Sequence, residues 1–157
     1  GVVFFFDDTL GWLGSSQSTS SSVLRRLGEF TGFVPGGSEQ TLVKRVIGVG
    51  GDRVSCTSAN GKVSVNGVEL DETYVPDGQV PCGERTFDVV VPEGHLWVMG
   101  DNRSNSADSR YHMGSGQSPY VPVSSVVGTV QAVIWPTSRW TTDIAHHEVF
   151  AAVPDAS

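Results

Sequence analysis

Two stretches hold residue types that can do chemistry. Gly100 to Arg110, reading GDNRSNSADSR, places two Asp, two Arg and three Ser in eleven residues with no large apolar side chain. That composition belongs to a loop rather than to a core. Thr41 to Val49, TLVKRVIGV, is the most apolar strand-like run in the middle of the chain and carries Lys44 and Arg45 at its centre. Strand alternation sets Leu42, Lys44 and Val46 on one face and Val43, Arg45 and Ile47 on the other. A lysine among hydrophobes loses part of the stability of its charged form and becomes a usable base. The plainer reading, and the better one from this strand alone, is an edge strand whose lysine discourages aggregation. The loop has a plainer reading too, a surface turn cross-linked by its own ion pairs, each worth little when exposed. A calcium loop fails on residue type: counted from Asp101, position three is Arg103, position six is Ser106 and position twelve is His112, where acid or amide, Gly and Glu are required.

The loop needs strands to hold it, and a loop held by strands is where function concentrates. His95 to Met99 precedes it and Gly128 to Trp135 follows it, both rich in β-branched and aromatic types. Thr86 to Val91 is expected to form a hairpin with His95 to Met99 around Pro92-Glu93-Gly94. The chain opens on an apolar strand, Gly1 to Phe6, whose abrupt start reads as a cut made inside a strand. The Ser-rich run Ser15 to Ser22 cannot offset its ordering entropy and is expected to be mobile. A short helix is expected from Ser22, with Val23, Leu24, Leu27 and Phe30 on one face. Asn60-Gly61, Asn66-Gly67 and Asp77-Gly78 are turn signals within a small β insertion at residues 54–89. The core is expected at residues 1–53 and 90–136, in one domain. Pro122 to Val127 reads as a single helical turn, and residues 137–157 as a patternless, solvated tail whose His146-His147 pair lacks the other ligands of a metal site.

Composition narrows the classes. A chain of 157 residues with 38 % hydrophobic residues, 19 Gly and 8 Pro suits a turn-rich, mostly β protein. A net charge of −7 gives nucleic acid no electrostatic reason to bind. No apolar run approaches the length that spans a bilayer. The two cysteines, Cys56 and Cys82, are free core thiols or one disulfide, and their spacing does not decide.

Lys44 and the loop together carry a resemblance. VKRVIGVGGD at Val43 to Asp52, VPEGHLWVMGDNRSNSADSR at Val91 to Arg110 and YVPVSSVVGTVQAVIWP at Tyr120 to Pro136 resemble the type I signal peptidases, membrane-bound serine proteases with a Ser-Lys dyad. The likeness covers most of the chain from Leu42 onward. It implies a mostly β fold, an antiparallel catalytic core with a small inserted β subdomain, and no cofactor or metal. It implies Lys44 as general base and Ser106 as the residue that hydrogen-bonds and orients its amine. Asp108 with Arg110, and Asp101 with Arg45, are implied as ion pairs that brace the loop. Leu42 and Val43 are implied at the substrate strand, shaping small pockets for an Ala-x-Ala-like site in secreted preproteins. The catalytic domain is then expected on the outer face of the bacterial cytoplasmic membrane, held by an N-terminal anchor outside this sequence. That oxidising compartment favours a Cys56–Cys82 disulfide.

The departures are as informative. The family's Ser-x-Met-x-Pro-Thr nucleophile box is absent, since the two methionines are Met99 and Met113, so the nucleophile is expected upstream and the fragment alone inactive. No residue is assigned to an oxyanion hole. Val2 stands where the family has Asp, and Gly50 where it usually has Pro. An apolar face left uncovered by the missing segment predicts self-association. Two other readings have the same ingredients: a non-catalytic β module that binds extended peptides, and a self-cleaving repressor-type Ser-Lys domain. The full loop and a disulfide are not expected in the second.

Overall fold

The computed structural model of the protein describes residues 2–8, 10–12, 41–57, 61–83, 85–132, 141–142 and 144–156. The serine-rich run at 15–22, the helix expected from Ser22 and the end of the strand expected at Gly128 to Trp135 lie outside the described residues.

Two antiparallel sheets form the fold. The strands are β1 (Val3–Asp7), β2 (Thr41–Val49), β3 (Arg53–Cys56), β4 (Ser64–Val65), β5 (Val68–Glu69), β6 (Phe87–Val90), β7 (His95–Met99), β8 (Val121–Pro122) and β9 (Val126–Thr129). The first sheet runs β8-β7-β2-β1-β9 and the second β5-β4-β3-β6. The lysine strand β2 therefore sits at the centre of its sheet, not at an edge, with β1 on one side and β7 on the other. Its apolar residues are the reason: Leu42, Val46 and Ile47 are all buried, and an edge position would leave them partly exposed.

Both faces of the first sheet contribute to a core, while Phe5 and Val43, paired neighbours on β1 and β2, stay exposed. One face holds Phe6, Trp12, Leu42, Val46, Leu96, Val98 and Val121. The other contributes Ile47, Trp97 and Met99 to a core shared with Val54, Val63, Val65, Leu70, Phe87 and Val91 of the second sheet. Burying these aliphatic and aromatic side chains supplies most of the driving force for folding.

The expected hairpin of Thr86 to Val91 with His95 to Met99 does not form. Strand β6 pairs with β3 and β7 with β2, so the two lie in different sheets. Val91 stays with the second sheet, donating to Asp52 O at 2.8 Å and accepting from Gly51 N–H at 2.9 Å. Pro92 then has no N–H to continue a ladder. A turn closed by His95 N–H on Pro92 O at 3.1 Å redirects the chain into the other sheet. The Asn66-Gly67 hairpin does form, with both residues at positive φ, 50° and 83°. That pair of angles is what a two-residue primed turn requires. The helical turn expected over Pro122 to Val127 is confined to a 3-10 turn at Val123–Ser125, and a short helix α1 occupies Ser109–His112.

The C-terminal tail is not a free, solvated segment. After the 3-10 turn at His147–Phe150, Val149, Phe150 and Val153 pack against the shared core. Asn66 Nδ2 donates to Pro154 O at 2.9 Å. These apolar residues are too scattered to show a period, which is why no element was legible there. Among the described residues no helix is long and apolar enough to cross a membrane.

Cys56 and Cys82 form a disulfide, with Cα atoms 6.0 Å apart and a sequence separation of 26. It ties β3 to the segment that leads into β6. Reducing it is expected to lower stability by about 2–4 kcal/mol, mainly by freeing the unfolded chain. Denaturant titration with and without reductant measures the difference, and two alkylatable thiols in the unreduced protein would contradict the bridge.

Candidate active site

Lys44 lies at the middle of β2, opposite Phe4 of β1. Its side chain shares a face with Leu42 and Val46, as alternation requires, so its amine emerges through an apolar surface. There Lys44 Nζ meets Ser106 Oγ at 3.0 Å. Burial is the largest influence on the amine and pushes its pKa below the ordinary lysine value. Asp108 pulls it back up and Arg110 opposes that pull. A lysine placed this way has a larger neutral fraction at a given pH than one in water.

Ser106 is held against the strand by a close approach of backbone. A Cβ built on Gly100 would lie 2.2 Å from Ser106 Oγ and 2.7 Å from Ser106 Cβ. Only a glycine at position 100 leaves the serine this seat. The loop is then fixed by three arginines. Arg45, on the opposite face of β2 from Lys44, makes a two-pronged pair with Asp101, Nε to Oδ1 and Nη2 to Oδ2, both at 2.8 Å. It stacks over Tyr74, 3.9 Å from the ring centre, and donates to Ile144 O at 2.7 Å. Strand and loop are thereby clamped together with planar, charge-assisted geometry.

Asp108 is fully buried and accepts from every direction. Gly100 N–H reaches Oδ2 at 3.0 Å, Arg110 N–H caps α1 on Oδ1 at 3.1 Å, and the Arg110 guanidinium closes on both oxygens at 3.0 and 2.7 Å. Arg110 Nη1 also donates to Cys82 O at 3.0 Å, tying the loop to the disulfide. Ser109 Oγ accepts from Val98 N–H at 3.0 Å. The third clamp was not among the residues read from the sequence. Arg103 pairs with Glu72 through Nη1–Oε2 at 2.8 Å and Nη2–Oε1 at 2.6 Å, both side chains wholly buried. Its Nε donates to Gly100 O at 3.0 Å and Nη1 also reaches Pro81 O. One signal pointed to it: with Asp101 and Asp108 each assigned an arginine, Arg103 was a loop cation left without a partner, which calls for a carboxylate elsewhere.

The structure therefore brings Lys44, Ser106, Asp108, Arg110, Arg45 and Asp101 into one cluster. Leu42 and Val43 lie one turn of the pleat away. Leu42 is buried beneath the sheet and Val43 is 47 % exposed on the opposite face. Strand β7 pairs with β2 only from Arg45 onward, so among the described residues no strand occupies the β7-side edge at Leu42 to Lys44.

The comparisons with known proteins bear on this cluster. A family model described as signal peptidase, peptidase S26, matches residues 3–135. The chain is 42 % identical over 165 residues to a probable signal peptidase I of Mycobacterium leprae, covering 89 % of this chain and 56 % of that protein. It is 45 % identical over 124 residues to a signal peptidase I of Mycobacterium tuberculosis, covering 71 % and 42 %. The chain thus spans about half the length of these curated relatives. A crystal structure of a signal peptidase I from Enterococcus faecalis is 30 % identical, with a TM-score of 0.47 over 59 % of this chain and 84 % of that one.

Proposed function

Because the chain belongs to the signal peptidase S26 family, we propose that it is the lysine-bearing part of a serine endopeptidase that removes N-terminal signal peptides from secreted preproteins. The observation that carries the reading is the Lys44 amine, 3.0 Å from Ser106 Oγ on an apolar face and biased toward its neutral form by burial. The nucleophilic serine comes from a Ser-Met-x-Pro type segment outside these 157 residues, so the chain alone is inactive. Neutral Lys44 takes the proton of that serine as it attacks the scissile carbonyl. The resulting ammonium then protonates the leaving amine, and the same amine later deprotonates the water that releases the acyl product.

Ser106 orients the amine without entering the bond changes, and the Arg45–Asp101 and Asp108–Arg110 pairs keep Ser106 and β2 in register. The open edge at Leu42 to Lys44 receives the residues preceding the cut as an added strand, with Leu42 and Val43 bounding shallow pockets. The domain works on the extracytoplasmic face of the bacterial cell membrane, anchored through a segment outside this sequence. Detached from that segment, it self-associates through the exposed Phe5, Val43 and Val127 side chains.

The test uses the protein joined to a segment carrying the nucleophile box and a peptide with an Ala-x-Ala site. Cleavage is expected, and Ser106→Ala is expected to lower kcat by about 10- to 100-fold while leaving KM little changed, the signature of a positioning residue. If Ser106→Ala removed activity as completely as loss of the upstream serine, Ser106 would have to be reassigned to the chemistry itself.

A further inference from the structure

Two of the three arginines that fix the loop rest on one short segment of the insertion. Arg103 Nη1 donates to Pro81 O and Arg110 Nη1 to Cys82 O, the second at 3.0 Å. The same two arginines govern both polar groups of the Gly100 backbone. Arg103 Nε donates to its carbonyl at 3.0 Å, and Asp108, gripped by Arg110, accepts from its N–H at 3.0 Å. Gly100 is the seat of Ser106, whose Oγ meets Lys44 Nζ. Two successive carbonyls of the insertion therefore reach that seat through separate arginines.

The ion pairs alone leave these guanidiniums room to move. A cavity of about 240 Å³, lined in part by Arg103, Ser106, Asp108 and Arg110, borders them. Arg103 has Glu72 as a partner outside the loop. Arg110 pairs with Asp108, two residues away in its own loop, and among the described residues Cys82 O is the acceptor that joins its guanidinium to the rest of the fold. That acceptor is itself pinned. The disulfide anchors Cys82 to Cys56 of β3, Cys82 N–H donates to Gly61 O at 2.9 Å, and Gly83 N–H closes a turn on Val80 O at 2.8 Å. Gly83, at φ 66°, passes so near the loop that a Cβ there would lie 2.5 Å from Arg110 Nη1 and 3.2 Å from Arg103 O.

We propose that the bridged segment at residues 81–83 is a positioning element for the candidate base: by holding Arg103 and Arg110 it keeps Ser106 seated and Asp108 neutralised beside Lys44. The inference rests on the endopeptidase reading above and deepens it. Its sign is set by the charges that face the amine. Asp108 stabilises the Lys44 ammonium and Arg110 opposes it. Arg110 freed from Cys82 O draws away from Asp108 into the cavity. The carboxylate then acts on Lys44 with less compensation, and the amine keeps its proton to higher pH.

The experiment uses the protein joined to its upstream segment and compares three variants. Gly83→Ala displaces Arg110 with the bridge intact, and Cys56→Ala removes the bridge. Val65→Ala weakens the core cluster that holds both cysteines and leaves the bridge and the loop arginines unchanged. The Lys44 amine is titrated by NMR, whose signals for the folded form are not imitated by partial unfolding. Gly83→Ala and Cys56→Ala are expected to raise its midpoint by about 0.5–1 pH unit, less than a full charged neighbour gives, and Val65→Ala to leave it in place. Cleavage of an Ala-x-Ala peptide should then fall about 3- to 10-fold at pH values below the midpoint, where the free-amine fraction follows the shift, and recover above it. A merely loosened fold would not recover with pH. An unmoved amine in Gly83→Ala overturns the proposal, even where Cys56→Ala fails to fold, and so does an equal shift in Val65→Ala. If the unsubstituted protein cleaves no such peptide while the amine still follows residue 83, the endopeptidase reading falls and the coupling stands.

Discussion

Replacing Lys44 by arginine in the protein that carries its upstream segment is expected to lower turnover of an Ala-x-Ala peptide by about ten-thousandfold or more, as loss of the base does in related dyads and triads. Lys44→Ala is expected to do the same. Arginine keeps the charge and the length yet fails, because its guanidinium stays protonated and cannot accept a serine proton. The wild-type pH profile follows from the same atom. The active form holds a free amine, so the rate should rise with pH as Lys44 loses its proton, with a midpoint below the ordinary lysine pKa of about 10.4. The cause of that displacement is burial, partly offset by Asp108. Linkage gives a second readout with a definite sign. Between the lowered folded value and the ordinary unfolded one, the unfolded chain binds more protons, so stability rises with pH across that window. Lys44→Met should remove this contribution. Near-normal turnover by Lys44→Arg would end the Ser-Lys mechanism for this chain.

How much of this was legible in the sequence depended on whether the signal was local. The alternation of TLVKRVIGV placed Lys44 and Arg45 on opposite faces, and the structure has them there: Lys44 toward Leu42 and Val46, Arg45 toward Asp101 and Tyr74. The Asn66-Gly67 turn was legible because positive φ at two successive positions is a property of the residues themselves. Pairing was not. Thr86 to Val91 and His95 to Met99 look like a hairpin because strands adjacent in sequence usually pair. Here the burial of Val91 and Trp97 in the shared core sends them to different sheets. The centrality of β2 was hidden for a similar reason, since a cation reads as an edge device until the opposing face is known. The tail was missed because Val149, Phe150 and Val153 make contacts without forming a regular element.

The buried Arg103–Glu72 pair carries the largest stability effect expected outside the cores. Glu72→Ala would leave the Arg103 guanidinium buried, still charged, with only the Gly100 and Pro81 carbonyls to accept from it. The expected loss is about 3–5 kcal/mol, the range for breaking a buried pair by removing one partner. It would also orphan the Tyr74 hydroxyl, which donates to Glu72 Oε1 at 2.6 Å, and so loosen the ring on which Arg45 rests at 3.9 Å. The double replacement Glu72→Met with Arg103→Met should recover much of the stability, since a well-packed apolar pair often matches a buried ion pair. It should not recover function. Arg103 Nε fixes the Gly100 carbonyl at 3.0 Å, and Gly100 is the seat of Ser106, so the double variant keeps a stable sheet with a less ordered Ser106. Urea titration separates the first effect, and the pKa of the Lys44 amine by NMR separates the second, because an amine that has lost its fixed neighbours moves back toward the ordinary lysine range. A Glu72→Ala loss under about 1 kcal/mol would mean that Arg103 finds water or another carboxylate, and the loop would then be held by Arg45 and Asp108 without it.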